Sequence, residues 1–438
     1  MISRNTGRFD IVVAGGGPAG MMAAGRAAER GAKVLLVEKT YRLGSKLLLT
    51  GGGKCNLTNN ADLPDLTAAF GKAGKFLYKA LTVFSNKDLI NFFSSRGVPM
   101  RVESGGRVLP LNTDAAGVLA CLRAYLKEHR VHILHNTTVT TIHYGSEKKE
   151  NITGVTLSDG SQVDATSLII ATGGRSYPAT GSTGDGYEMA RQSGHTIVQL
   201  SPGLVALESN SSYIKELQGL TLKDVAISVV MDGRKQRAER GDILFTHFGV
   251  SGPIVLNLSG KIIDALSSKS KVEIALNLRP EYSTQEFDQL LQKEIIFFGS
   301  RTVAQYFKKT LPASLSSVFE KLCSPAADNK CSMVSRADRK MIAGYFTDLR
   351  IPIIGSRPIE EAMITRGGVS LKEIDPRTMG SRLVQGLYFC GELIDLAGLT
   401  GGYNLQEAFS TGYLAGDSAA IELFETKPAG LGSSPHAR

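Results

Sequence analysis

Tryptophan is absent from this chain, and cysteine is scarce: five in 438 residues (55, 121, 323, 331 and 390), with no CxxC pair among them. That pattern excludes a zinc ribbon, a disulfide-stapled scaffold and a dithiol reductase, and it points to a reducing compartment. No run of roughly 18 apolar residues occurs, so no segment reads as a membrane span. The first twenty residues lack a signal peptide's long apolar stretch. A soluble, cytoplasmic protein is therefore expected. No internal repeat is found, and the histidines at 129, 132, 135 and 143 have no acid or cysteine to complete a ligand set, so no metal is expected.

What remains is ordinary globular composition, 42% apolar and 21% charged, in a chain long enough for several domains. Two features stand out. The 48 glycines gather in short clusters, at 15–17, 51–53, 173–174 and 401–402, as where backbone must approach a ligand. The net charge of +9 is uneven: residues 39–107 hold eleven Lys and Arg against four acids, which is +7 of the total. A field so concentrated attracts polyanions. It serves equally to neutralise a bound dinucleotide, and charge alone does not separate the two.

Apolar runs at FDIVVA and KVLLVEK flank GGGPAG and a helical stretch, giving a βαβ unit roughly 30 residues long. Further strands and helices extend this first domain over 1–194. Short β-rich runs follow over 195–282, a helical stretch over 283–347 and a return strand over 348–361. Glycine-rich loops and a last helix bring the chain back to the first domain over 362–425, and the polar tail 426–438 reads as disordered. The expected fold is α/β: a Rossmann-like, doubly wound dinucleotide-binding domain, interrupted by a β-rich, barrel-like domain that carries a helical insert.

The strongest local signal is Gly15-x-Gly17-x-x-Gly20, directly after a strand and opening a helix with Pro18 and Ala19. Gly15 permits the turn, Gly17 removes a side chain from the pyrophosphate's path, and Gly20 lets helix and strand close up. The helix N-terminus then faces the phosphates. Glu38 ends the second strand, where an acid accepts from ribose hydroxyls and disfavours a 2′-phosphate. No second glycine fingerprint with its acid follows, so a nicotinamide donor would dock only transiently.

Other segments resemble one family. TGGGKCNLTN over Thr50–Asn59, ATGG over Ala171–Gly174, FTHFGVSGP over Phe245–Pro253, GLYFCGE over Gly386–Glu392 and GLTGGYNLQ over Gly398–Gln406 occur in this order. They resemble the BaiN/RdsA-like flavoproteins (also called YhiN-like or aminoacetone-oxidase-like), within the group with two dinucleotide-binding domains, over about residues 9–425. Where that family reads SGGGRCN, this chain has Thr50 and Lys54, and lysine cannot make a bidentate guanidinium contact. The resemblance implies bound FAD, with NADPH or NADH as transient electron donor. It places Glu392, after Gly391, on the ribityl hydroxyls, and Gly402, Tyr403, Asn404 and Leu405 at the flavin's pyrimidine edge, where a helix N-terminus favours negative charge. Gly52 and Gly53 would lie against the ring, Ala171, Thr172 and Gly173 would form the second strand-end turn, and Val139 would hold the adenine through backbone groups. Lys39, Arg42 and Lys46 are candidates for cofactor contacts.

Cys55, beside Lys54 in a basic glycine loop, is the candidate catalytic acid, its pKa expected to be lowered; packing under the loop is the competing reading. His247 is a second catalytic candidate, against a turn histidine satisfied by backbone. The implied chemistry is hydride transfer to a conjugated C=C bond, best matched by uridine in large-subunit ribosomal RNA, with the basic segment 39–107 as the RNA surface. A small-molecule flavin oxidase or reductase and an RNA-binding factor with structural FAD are the alternatives. Against RNA stands the thin supply of stacking aromatics in that segment.

Overall fold

The computed structural model describes residues 5–426, so the tail expected to be disordered lies, past Thr426, outside the described residues. Two compact units make up the chain: one formed by the residues up to Ser201 together with those from Met363 onward, the other by Pro202–Ala362. Among the described residues no helix is long and apolar enough to cross a membrane.

The first unit is built on a five-stranded parallel sheet. Its strands are β1 (Ile11–Ala14), β2 (Val34–Val37), β3 (His132–Leu134), β4 (Ser167–Ile170) and β5 (Leu387–Phe389), in the spatial order β5-β4-β1-β2-β3. β1, β2, β4 and β5 are buried at every position. Such runs suit a sheet covered on both faces rather than one alternating between core and water. The registers Ile11↔Val34 and Ser167↔Ile11 align the C-terminal ends of β1, β2 and β4, so the turns after Ala14, Val37 and Ile170 open at the same edge. In open parallel sheets that edge is where ligands bind.

Helices α1 (Pro18–Glu29) and α3 (Tyr403–Thr426) begin at that edge, and α2 (Ala115–Glu128) packs on α1. α1 is made almost wholly of Ala, Gly and Met and is buried over most of its length. α3 packs onto it through two glycines. A Cβ on Gly412 would stand 2.3 Å from the Ala19 carbonyl oxygen, and one on Gly416 2.2 Å from that of Ala23. Asp417 of α3 ties the pair, accepting from Arg26 at 2.7 Å and Arg30 at 2.8 Å. A separate sheet, in which Gln162–Asp164, Ile152–Leu157 and Val139–Tyr144 run antiparallel, precedes β4 in the chain.

The second unit holds an antiparallel sheet in the order Leu349–Ile353, Val272–Asn277, Thr221–Met231, Glu239–Phe245, Gly249–Ser251, Leu207–Glu208 and Gly355–Ser356. Its two outermost strands are separated in sequence by Ile354 alone, so the sheet must curl back on itself. Four helices, Thr284–Phe298, Val303–Thr310, Ala313–Leu322 and Arg336–Thr347, run between two of its strands. They share one apolar core with the sheet, in which Phe287, Phe307, Phe319 and Phe346 are fully buried. The mixed α/β architecture, with a parallel nucleotide-binding-type sheet, matches the fold class read from sequence.

Candidate functional site

At the C-terminal edge of the parallel sheet the first unit opens into a cleft of about 1270 Å³, counting the space open to solvent. Its lining comes from the turn after β1, the end of β2, the Gly44–Thr50 loop, Thr137–Val139, the turn after β4, Gly391–Glu392 and the start of α3.

The turn after β1 is dictated by sterics. Gly15 sits at φ +106°, and a Cβ there would lie 2.5 Å from the Ala171 carbonyl oxygen. Gly20 has no more freedom, since a Cβ would stand 1.9 Å from the Gly15 oxygen. Gly17 differs. It caps α1 in ordinary extended geometry (φ −75°, ψ −178°), and a Cβ on it would meet nothing within 4 Å. The fold therefore does not need glycine there, and the empty space is a cradle for something else. No side chain caps α1, and Met21 N–H makes the bond to the Gly17 carbonyl. The N–H groups ahead of it face past the helix end, the setting that favours a phosphate.

Two carboxylates flank this cradle, and each is nearly saturated. Glu38, 8% exposed, accepts from Gly16 N–H at 2.8 Å, Thr40 N–H at 2.7 Å and the Thr40 hydroxyl at 2.8 Å. Glu392 accepts from Lys46 Nζ at 2.6 Å, Thr365 N–H at 2.8 Å and the Ser176 hydroxyl at 3.0 Å, and Lys46 also donates to Ser176 at 2.6 Å. A carboxylate has about four acceptor sites. With three used, each retains one acceptor site, and the other donors hold its orientation. That suits recognition of a sugar-type hydroxyl. At the far end, Gln406 N–H bonds the Gly402 carbonyl, so the preceding α3 N–H groups, on the cleft side at Asn404 and Leu405, have no helical acceptor. The donor and acceptor set thus fits a dinucleotide with two hydroxylated chains.

Of the residues singled out from sequence, the structure gathers Gly15, Gly17, Pro18, Ala19, Glu38, Lys39, Lys46, Val139, Ala171, Thr172, Gly173, Gly391, Glu392, Asn404 and Leu405 around this one cleft. Lys39 is held by Asp185 at 2.7 Å. Others stand elsewhere. Arg42 is exposed, its guanidinium 5.3 Å from the Tyr41 ring centre. Gly402 is pressed on Thr58, where a Cβ would come 2.3 Å from its oxygen. Tyr403 lines a shallow recess with Asn59, Gly105 and Leu399. Gly51, Gly52 and Gly53 all take positive φ (59°, 64° and 90°), which the turn itself requires, and Lys54 points to solvent.

Cys55 departs from expectation. The residue is 0% exposed beneath this loop, and burial pushes its thiol up to about 11, with the Thr50 hydrogen bond only partly opposing. The expected lowering is reversed because Lys54, its chain neighbour, faces water while Cys55, itself at φ +58°, faces the core. His247 belongs to the second unit, exposed in the turn before Gly249–Ser251 with its ring 4.9 Å from Phe248.

Three contributors went unread in the sequence. Ser176 and Thr365 hold Glu392, and nothing local marks them. Glu407, 4% exposed, also lines the cleft. Its signal was available: it falls in helical register with the buried Thr411 and Leu414 of α3, a glutamate where the period calls for an apolar residue.

Residues 9–418 match the family described as HI0933-like protein Rossmann domain. The ribosomal RNA dihydrouridine synthase of Escherichia coli is 30% identical over 407 residues, covering 93% of this chain and 96% of that protein. The 3-dehydro-bile acid delta(4,6)-reductase of Clostridium scindens is 29% identical over 412 residues, 94% of this chain and 98% of that one. Among solved structures, 3-ketosteroid-delta4-(5alpha)-dehydrogenase from Rhodococcus jostii RHA1 superposes with a TM-score of 0.53 at 16% identity, covering 96% of this chain and 98% of that chain. That last likeness is one of fold.

Proposed function

The chain belongs to the HI0933-like family of flavoprotein oxidoreductases, and on that premise we propose that it binds FAD in the cleft and reduces uridine to dihydrouridine in large-subunit ribosomal RNA, with NADPH or NADH as electron donor. When bound, FAD supplies the two-electron reducing chemistry that saturates a conjugated C=C bond. The chain's own part is to hold and orient. Gly17 and the start of α1 receive the pyrophosphate, Glu38 and Glu392 each offer their remaining acceptor site to a hydroxyl, and the first N–H groups of α3 favour negative charge at the reacting end. Lys46 and Ser176 keep Glu392 from turning away.

The observation that carries the RNA reading is the state of the basic segment. Arg42, Lys54, Lys72, Lys75, Lys79 and Lys87 are exposed and, among the described residues, have no acidic partner. The segment's Phe70, Phe84 and Phe93 are buried, but Tyr41 and Tyr78 are 69% and 59% exposed. Cations without acidic partners, beside exposed rings, are what a single-stranded nucleic acid needs. Two relatives named as ribosomal RNA dihydrouridine synthases support it. A second reading, reduction of a steroid-type conjugated ketone, is favoured by the bile-acid reductase, which matches the chain over a slightly longer stretch.

The test is anaerobic. The protein is reduced with NADPH, mixed with large-subunit ribosomal RNA lacking dihydrouridine, and followed by flavin absorbance and nucleoside analysis. Reoxidation with dihydrouridine in the product is the expected result, and its rate should fall steeply with salt. Flavin that stays reduced with RNA but is reoxidised by a conjugated ketone refutes the RNA reading in favour of the second.

A further inference from the structure

Glu407 is the one acid of the cleft that the chain leaves nearly bare. It sits just over one turn into α3, 4% exposed, on the same cleft as Ala19 and Glu392. Its side chain receives a single 3.3 Å contact, from the Thr411 hydroxyl. That hydroxyl is committed elsewhere: it donates to the Glu407 backbone carbonyl at 2.7 Å and accepts from Gly391 N–H at 3.0 Å. Among the described residues no cation pairs with Glu407. Glu392, of like charge, faces it and takes the Lys46 ammonium for itself. The Cys390 thiol, fully buried, lies near enough to feel Glu407's charge. The first two turns of α1, Pro18–Ala24, carry no titratable side chain. Burial pushes the Glu407 carboxyl up to about 8; the Thr411 hydrogen bond opposes it, and the charge of Glu392 adds a smaller push in the same direction as burial.

A neutral carboxyl brings one O–H donor, which a carboxylate lacks. Its one hydrogen-bond partner, the Thr411 hydroxyl, lies 3.3 Å away and is already bonded to the Glu407 carbonyl and to Gly391 N–H, so that donor can turn to the open side of the group, which is the cleft. A dinucleotide offers acceptors in plenty, whereas an anion at this position would repel the phosphates. We propose that Glu407 is a positioning residue for the cofactor: it serves as a neutral hydrogen-bond donor to the bound dinucleotide, and losing its proton weakens binding. The inference rests on the reading of the cleft as an FAD site and adds to it a pH dependence carried by one side chain.

The experiment measures FAD affinity of the apoprotein by flavin fluorescence across neutral to alkaline pH, for wild type and Glu407→Gln. Binding that requires the protonated form weakens about tenfold from pH 7 to pH 9 for a group titrating near 8. Gln keeps a neutral donor, so its affinity should be flat over the same range, and any titration of FAD itself is common to both and cancels in their ratio. Equal slopes in the two proteins overturn the inference while leaving the FAD site standing. Failure of wild type to bind FAD at neutral pH overturns both. Should Glu407→Gln not fold, infrared difference spectra of wild type decide: a protonated-carboxyl band that shifts on FAD addition and vanishes at alkaline pH supports the inference, and its absence overturns it.

Discussion

Gly17 and Gly20 stand three residues apart in one turn, yet the structure assigns them opposite reasons for lacking a side chain, and alanine separates those reasons. At Gly17 the backbone is already in a region any residue adopts, and a Cβ meets nothing within 4 Å. Alanine reduces the freedom of the unfolded chain, worth about 0.4–1 kcal/mol in favour of folding. It is also a poorer helix cap than glycine by a similar amount. The two effects offset, and the apoprotein's stability should change by less than about 1 kcal/mol. Ligand binding should not be spared, because the new methyl occupies the cradle ahead of α1. Displacing the pyrophosphate from two charge-assisted N–H hydrogen bonds, at roughly 1.5–3 kcal/mol each, weakens FAD at least about 100-fold. Gly20→Ala is the contrast: a Cβ 1.9 Å from the Gly15 oxygen cannot be housed, so folding and binding fail together. Denaturant unfolding of the apoproteins and FAD titration read both quantities. A Gly17→Ala protein that binds FAD like wild type would refute the placement of the pyrophosphate at this turn.

Three further outcomes are expected. With Cys55 pushed up to about 11 and the other four cysteines also buried and raised, alkylation of native protein at pH 8 should run about 100-fold slower at Cys55 than in the unfolded chain; rapid labelling of Cys55 would show that the loop opens. Asp417→Asn leaves Arg26 and Arg30 without their shared carboxylate and should destabilise the α1–α3 pair by about 2 kcal/mol in urea unfolding, whereas an unchanged midpoint would mean the contact is solvated away. Glu407, raised in the fold to about 8 from 4.5 unfolded, binds its proton more tightly when folded, so apoprotein stability should fall as pH rises between those values, by about 4 kcal/mol from pH 5 to pH 8. Glu407→Gln should remove that slope, and a slope that survives must come from other groups.

What could be read in advance follows from how far apart the participants lie. The turn after β1 was legible because its requirements are met within a few residues: an apolar strand, glycines at set spacing, an uncapped helix and, one strand later, Glu38. The segments around Ala171 and Gly391 were legible only through the resemblance to a family, since no local requirement marks them out. Ser176 and Thr365 were not, because they reach Glu392 only through the topology, across 216 and 27 residues of chain. The basic segment shows both halves of the problem. Its charge is a sum and needs no fold, but which aromatics face water depends on packing: Phe70, Phe84 and Phe93 turn inward and Tyr41 and Tyr78 outward.

Cys55 and Glu407 show the same limit more sharply, since neighbours in sequence misdirected the reading of the first and the second went unread. Beside Lys54, Cys55 looked like an activated thiol; a left-handed backbone at Cys55 puts the two side chains in different solvents, and desolvation outweighs the adjacent cation. Glu407 lies in a largely apolar helix. Desolvation acts on it in the same direction, raising the affinity for a proton, but the consequence differs with the wall behind it. Cys55 is sealed under a loop, so its held proton has nowhere to be used. Glu407 opens onto a cleft built for an acceptor-rich ligand. The same physical shift therefore makes one residue inert and the other a donor, and only the position of the cleft decides which.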